Sequence, residues 1–180
     1  MSIETLLDTV IAREGGYVND PRDAGGETIW GVTAETARAN GYAGPMKAMT
    51  RDQAKQVYRS AFWVRPRFDR VAALSAAIAA EMFDTGVNMG PSRAATFLQM
   101  ALNGLNNGGT LYPDIAEDGR IGPGTLTALQ AYLRKRGQAG ETVLLRALSC
   151  LRGARYIELA RRRGGNEAFL YGWLANRVAT

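Results

Sequence analysis

The chain contains no histidine. That absence excludes a Ser-His-Asp triad, a Cys-His pair and any histidine-based zinc site. A single cysteine, Cys150, excludes an internal disulfide and thiolate zinc clusters. Set beside Ala147, Leu148 and Leu151, it reads as a small buried hydrophobe. No run approaches the ~20 apolar residues that a membrane span needs. No Pro/Ser-rich linker, internal repeat or low-complexity tract divides the chain. The opening residues, MSIETLLDTVIARE, carry Glu4 and Asp8 without a cationic start, which is the wrong pattern for a signal peptide. The expectation is a protein kept in the cytoplasm until it is released, with no cofactor, no metal ligands and no stable membrane insertion.

What is present suits a globular enzyme. With 180 residues, 46% hydrophobic and 22% charged, the chain is long enough to bury a core in one domain or a domain with an appended lobe. Three of the 22 basic residues are lysine and the other 19 arginine, and the net charge is +5. That balance favours a polyanionic partner: nucleic acid, an anionic membrane or an acidic cell wall. Without histidine, any catalysis rests on carboxylates, hydroxyls, lysine, tyrosine or backbone groups, a pattern characteristic of glycosidases.

Hydrophobic spacing predicts a mostly helical chain. Ile3, Leu6, Leu7 and Val10 place a first helix over 3–13, with Ser2 as N-cap and Gly15-Gly16 as terminator. Residues 17–33 alternate β-formers and turn-formers, the signature of a small β-hairpin. Thr50 to Gln53 is a capping box for a helix through about Phe62. Ser75 opens an apolar segment and Pro91 starts the next helix. Asn106 to Gly109 is a loop. Pro123 starts a helix ending at Gly137, and 141–162 form a longer one. Leu144, Leu148 and Leu151 lie on one stripe of it, with Ala147, Cys150, Ala154 and Ile157 beside it. Asn166 caps a last helix carrying Phe169, Leu170, Trp173 and Leu174.

The densest cluster of reactive and turn-forming residues is EGGYVNDPRDAGGETIWGVT, Glu14 to Thr33. Glycoside hydrolysis needs a protonated carboxyl beside the leaving oxygen and a second group across the sugar. Glu14, at a helix end facing a hairpin, is placed for desolvation that keeps it protonated. Asp20 or Asp23 would supply the opposing carboxylate, and Thr28 would hold a water. Each also has a plain structural reading: a solvated helix-end glutamate, two Asx-type turn residues and an ordinary strand threonine.

This block resembles the signature of glycoside hydrolase family 108, phage-encoded N-acetylmuramidases also known as secretion activators. The resemblance implies that Glu14, before Gly-Gly-Tyr, is the catalytic acid. The wider phage-lysozyme order of Glu, Asp and Thr matches Asp23 and Thr28 to within about a residue, and Asp20 stands as a rival. Phe83–Gln99 and Glu117–Leu129, with Asp118-Gly119 and Gly122-Pro123, are similar to the C-terminal peptidoglycan-binding-type segment of that family, and FLYGWLANR is similar to its last helix.

The resemblance implies a mainly α, lysozyme-like α+β fold. It divides into a catalytic lobe over 1–85 and a helical peptidoglycan-binding-type lobe over 86–180, packed as one globular unit. It also implies a bacteriophage endolysin acting on peptidoglycan glycan strands. The lack of an exposed heptad or edge pattern predicts a monomer, and the lack of a groove-reading motif predicts no nucleic-acid partner. Release through a holin would let it reach the wall in the periplasm. Tyr17 and Trp30 are candidate sugar-stacking residues, as are Tyr58 and Trp63, although such aromatics are more often core. Asn88 is a candidate acetamido ligand or, alternatively, the cap of the helix beginning near Pro91. The rival functions are a lytic transglycosylase and a non-catalytic wall-binding module. The triplets Arg134-Lys135-Arg136 and Arg161-Arg162-Arg163 raise nucleic-acid binding, but cations at helix C-termini have a structural explanation.

Overall fold

The computed structural model describes residues 2–13, 16–19, 26–162 and 167–178. Among them are eight α-helices and one two-stranded antiparallel sheet, a mainly α, lysozyme-like fold. The chain forms two compact units, 1–69 and 70–180.

In the first unit, α1 (Ile3–Arg13) is capped by Ser2, whose Oγ accepts the Thr5 N–H at 3.2 Å. Its inner face buries Leu7, Val10 and Ile11. The outer face carries Glu4 and Asp8, one helical turn apart. Glu4 pairs with Arg59, and Asp8 lies 2.7 Å from Lys55 and 3.1 Å from Arg51. This ladder sets α1 antiparallel to α3 (Arg51–Arg59). Water screens these exposed pairs and leaves them little net stabilising effect, so the apolar face dominates. Thr50 and Gln53 form the expected capping box. The helix then widens into a π turn over Ser60–Val64, where the Arg65 N–H reaches Ser60 O at 3.0 Å. Tyr58 and Trp63 are buried, so they are core rather than sugar-stacking walls.

Strands β1 (Thr28–Ile29) and β2 (Val32–Thr33) pair through Thr28–Thr33 and Ile29–Val32. The Val18–Thr28 bridge adds a third extended segment, so the expected hairpin excursion is present. Thr33 caps α2 (Ala34–Ala39), accepting from Thr36 N–H.

α4 (Phe68–Ala72) crosses from one unit to the other. The second unit contains α5 (Ala76–Met89), α6 (Pro91–Leu105), α7 (Pro123–Arg162) and α8 (Glu167–Arg177). Ser75 caps α5 and Pro91 opens α6, as their sequence positions require. α7 is two arms broken at Gly137, whose φ of 57° and ψ of −152° are non-helical. Leu98, Leu102, Leu129 and Leu144 are fully buried, each stabilising the unit by about 1.5–3 kcal/mol.

Two polar features lock this unit. Arg152, 3% exposed, reaches Glu81 at 3.2 Å and Asp84 at 2.5 Å, tying α7 to α5. Burial nevertheless pushes the Glu81 carboxyl above its ordinary range, because desolvation outweighs the attraction of Arg152. Gln99, 1% exposed on α6, clasps the Asp118–Thr125 turn. Its Nε2 lies 2.8 Å from Asp118 Oδ1, 3.0 Å from Arg120 O and 3.2 Å from Thr125 Oγ1, while Oε1 accepts the Gly119 N–H at 2.9 Å. Gly119 has φ 71°, and an added Cβ would stand 2.3 Å from Ser92 Oγ, so only glycine fits.

Two expectations fail here. Cys150 is exposed, not a buried hydrophobe. Ala154 and Ile157 are exposed with it, because α7 buries Ser149, Arg152, Gly153 and Tyr156. The inner face of that arm thus keeps Leu144 and Leu148 of the expected stripe and excludes the residues expected beside it. Nor does Asn88 cap α6. Gly90 holds that position at φ 89°, while Asn88 lies within α5 and its Nδ2 donates to Asp84 O at 2.6 Å.

Candidate functional site

Glu14, Asp20 and Asp23 lie outside the described residues, as does the helix terminator Gly15. The described part of the block is the ladder that carries Tyr17, Thr28 and Trp30. Val18 and Thr28 exchange both backbone hydrogen bonds at 2.8 Å, which sets Tyr17 diagonally across from Glu27. The Tyr17 hydroxyl donates to Glu27 Oε1 at 2.6 Å. That hydrogen bond to a carboxylate pushes the phenol above its ordinary pKa. Lys47 stands over the Tyr17 ring at 5.0 Å from its centroid. Sequence reasoning passed over Glu27 and Lys47. The 17/27 pairing appears only once the register is known, and Lys47 arrives from a separate 3-10 turn, Met46–Ala48.

Trp30 occupies the tip of the hairpin. It and Gly31 have φ of 54° and 72°, the two positive values that a type I′ turn requires. A tryptophan in that region carries strain and persists only when its surroundings hold it. Its indole N–H donates to Met49 O at 3.0 Å, and its carbonyl accepts from the Tyr58 hydroxyl at 3.2 Å. The polar edge of the ring is therefore spent on the protein, leaving the ring faces of a half-buried indole. Thr28 is half-buried, and among the described residues its hydroxyl makes one long contact, 3.4 Å to Gly26 O. It retains capacity to bind a water. Asn88 is exposed on α5, in the second unit. No cluster of metal-ligating side chains occurs among the described residues.

Residues 7–90 match the model of the glycosyl hydrolase 108 family. Those residues belong to glycosyl hydrolase family 108. Residues 93–178 match the predicted peptidoglycan domain family. A solved structure, SagA of Brucella abortus, is similar over 97% of this chain and 88% of its own, with 27% identity and a TM-score of 0.68. No curated protein matches the chain significantly. The chain is thus a peptidoglycan-degrading glycoside hydrolase. The hydrolase's family boundary, between residues 90 and 93, does not coincide with its compact units. α5 matches the hydrolase family but packs with α6 and α7.

Proposed function

We propose that this hydrolase is an N-acetylmuramidase that cleaves the β-1,4 link between N-acetylmuramic acid and N-acetylglucosamine. Glu14 protonates the leaving oxygen as general acid. Asp23 or Asp20 acts from the opposite face, as base or stabiliser of the oxocarbenium-like transition state. Thr28 holds the attacking water, while Tyr17 and Trp30 contact sugar.

The observation that carries this reading is the position of Glu14. It stands before Gly-Gly-Tyr, inside the stretch matched to glycosyl hydrolase 108, in a chain without histidine to take the proton-transfer role. The long Thr28 contact supports its water-holding part. We further read the protein as a monomeric phage endolysin released from the cytoplasm by a holin, its +5 charge suited to an anionic wall. Host-cell lysis that does not depend on a co-expressed holin would count against that route.

The test is incubation of wild type and Glu14→Gln with purified Gram-negative peptidoglycan, with products read by mass spectrometry. New reducing muramic acid ends from the wild type alone are the expected result. Anhydro-muramic products would instead make the enzyme a lytic transglycosylase, and equal release by both proteins would remove Glu14 from the mechanism.

A further inference from the structure

At the end of the first arm of α7, Arg134, Lys135 and Arg136 are exposed. None of the three has an ion-pair partner among the described residues. A helix C-terminus favours cations, which explains the charge but not the relief around it. Residues three and four apart share a helix face, so Ala131, Arg134 and Lys135 form one stripe and Tyr132, Lys135 and Arg136 the next. Lys135 belongs to both and borders two hollows.

A hollow of about 510 Å³ lies between the first stripe and Asn107, Thr110 and Leu111 of the loop after α6. Another of about 530 Å³ lies between the second stripe and Leu105, Gly140 and Val143. Both have fixed walls. Asn106, 3% exposed, accepts the Gly109 N–H at 3.0 Å and donates to Asp114 at 2.6 Å, holding the loop. Across the Gly137 break, the buried Tyr132 hydroxyl donates to Gly140 O at 2.9 Å and staples the two arms.

The chemistry of the pair selects a ligand class. No carboxylate lines either hollow, so the surface attracts anions. Leu105, Leu111 and the exposed Val143 would stay wet around a simple inorganic anion. Tyr132, the single aromatic lining residue, is buried, so the surface offers no stacking platform for nucleobases. The fitting ligand carries separated carboxylates on a short aliphatic framework. The stem peptide of peptidoglycan has that composition, with adjacent carboxylate-bearing residues flanked by alanine methyl groups. We propose that this double hollow binds the stem peptide, with carboxylates on either side of Lys135 and methyl groups against Leu105, Leu111 and Val143. The inference rests on the reading that the chain acts on peptidoglycan.

The test titrates the isotope-labelled full chain with a synthetic stem tetrapeptide, either with free carboxylates or fully amidated, and follows backbone amide shifts by NMR. The free peptide should shift Thr110, Lys135 and Val143. Amidation, Lys135→Glu and Arg134→Glu should each weaken binding about tenfold or more, the scale of one charge-assisted hydrogen bond. Circular dichroism of the two exposed-site variants should match wild type. Equal affinity for the amidated peptide, shifts confined elsewhere or tighter binding of a single-stranded oligonucleotide would each overturn the proposal. Cleavage of peptide-free glycan chains, measured in parallel, separates the two readings. Cleavage without peptide binding sinks this inference alone, and peptide binding without cleavage sinks the muramidase alone.

Discussion

Two stretches of this chain look alike as sequence: Glu14–Thr33 and Asp118–Leu129 are both rich in Gly and carry Asp and Thr among the turn-formers. Their structural treatment differs. In the second, one buried amide collects the polar groups, since Gln99 engages Asp118, Gly119, Arg120 and Thr125 at 2.8 to 3.2 Å. The described part of the first is held by backbone pairing and by two side-chain anchors, Trp30 to Met49 and Tyr17 to Glu27. The Thr28 hydroxyl keeps most of its capacity. A turn-rich motif serves the fold when a buried partner consumes it. It is available for chemistry when the backbone and aromatic edges do the anchoring.

The contrast breaks most visibly by removing function from the first stretch. Glu14→Gln should lower glycan cleavage by about 10²–10⁴-fold, the range of general acid catalysis, measured as initial rates on purified wall. Gln99→Leu should act on the other side. It strands the Gly119 N–H in a buried site, while the Arg120 carbonyl keeps the Gly122 N–H, so denaturant unfolding should show a loss of about 1–3 kcal/mol. A loss under about 0.5 kcal/mol would mean the clasp is dispensable, since that is the scale of a surface change.

A smaller effect sharpens the hairpin. Trp30→Phe removes the indole bond to Met49 and should cost about 1 kcal/mol. A drop in cleavage larger than the fraction unfolded would show that the ring also meets sugar. The smallest effect is a pH dependence. The hydrogen bond from Gln99, helped by the Arg120 N–H, holds the Asp118 carboxyl below its ordinary 3.8. A depressed carboxylate stabilises the fold above its unfolded pKa, and the contribution is lost as pH falls through the folded value. Thermal unfolding of Asp118→Asn should therefore lose less stability than wild type as pH falls below 3.8.

Much of the fold was legible because its signals are local. The Ser2 and Ser75 caps, the Thr50–Gln53 box, Pro91 at a helix start and the Gly137 break all act within four residues. The hairpin was legible from its turn-formers, but Trp30 at a positive φ was not, since that strain is held by Met49 and Tyr58, nineteen and twenty-eight residues away. The buried face of α7 was misjudged for a related reason. Hydrophobicity placed Cys150 inside, yet the packed face includes Arg152, which is buried because α5 offers Glu81 and Asp84. The charge on that arginine argues against burial until its partners are seen.

The sequence by itself determined the helical order, the caps, the position of the hairpin and a chemistry without histidine, because these follow from residue type and near-neighbour spacing. Tertiary structure alone decided which polar residues are consumed by the fold. Gln99 clasping a turn about twenty residues on, and Tyr132 stapling a broken helix beside Lys135, are such decisions. A hydrogen bond between distant residues has no periodicity for a sequence to display, and it counts for most where packing removes the competing water.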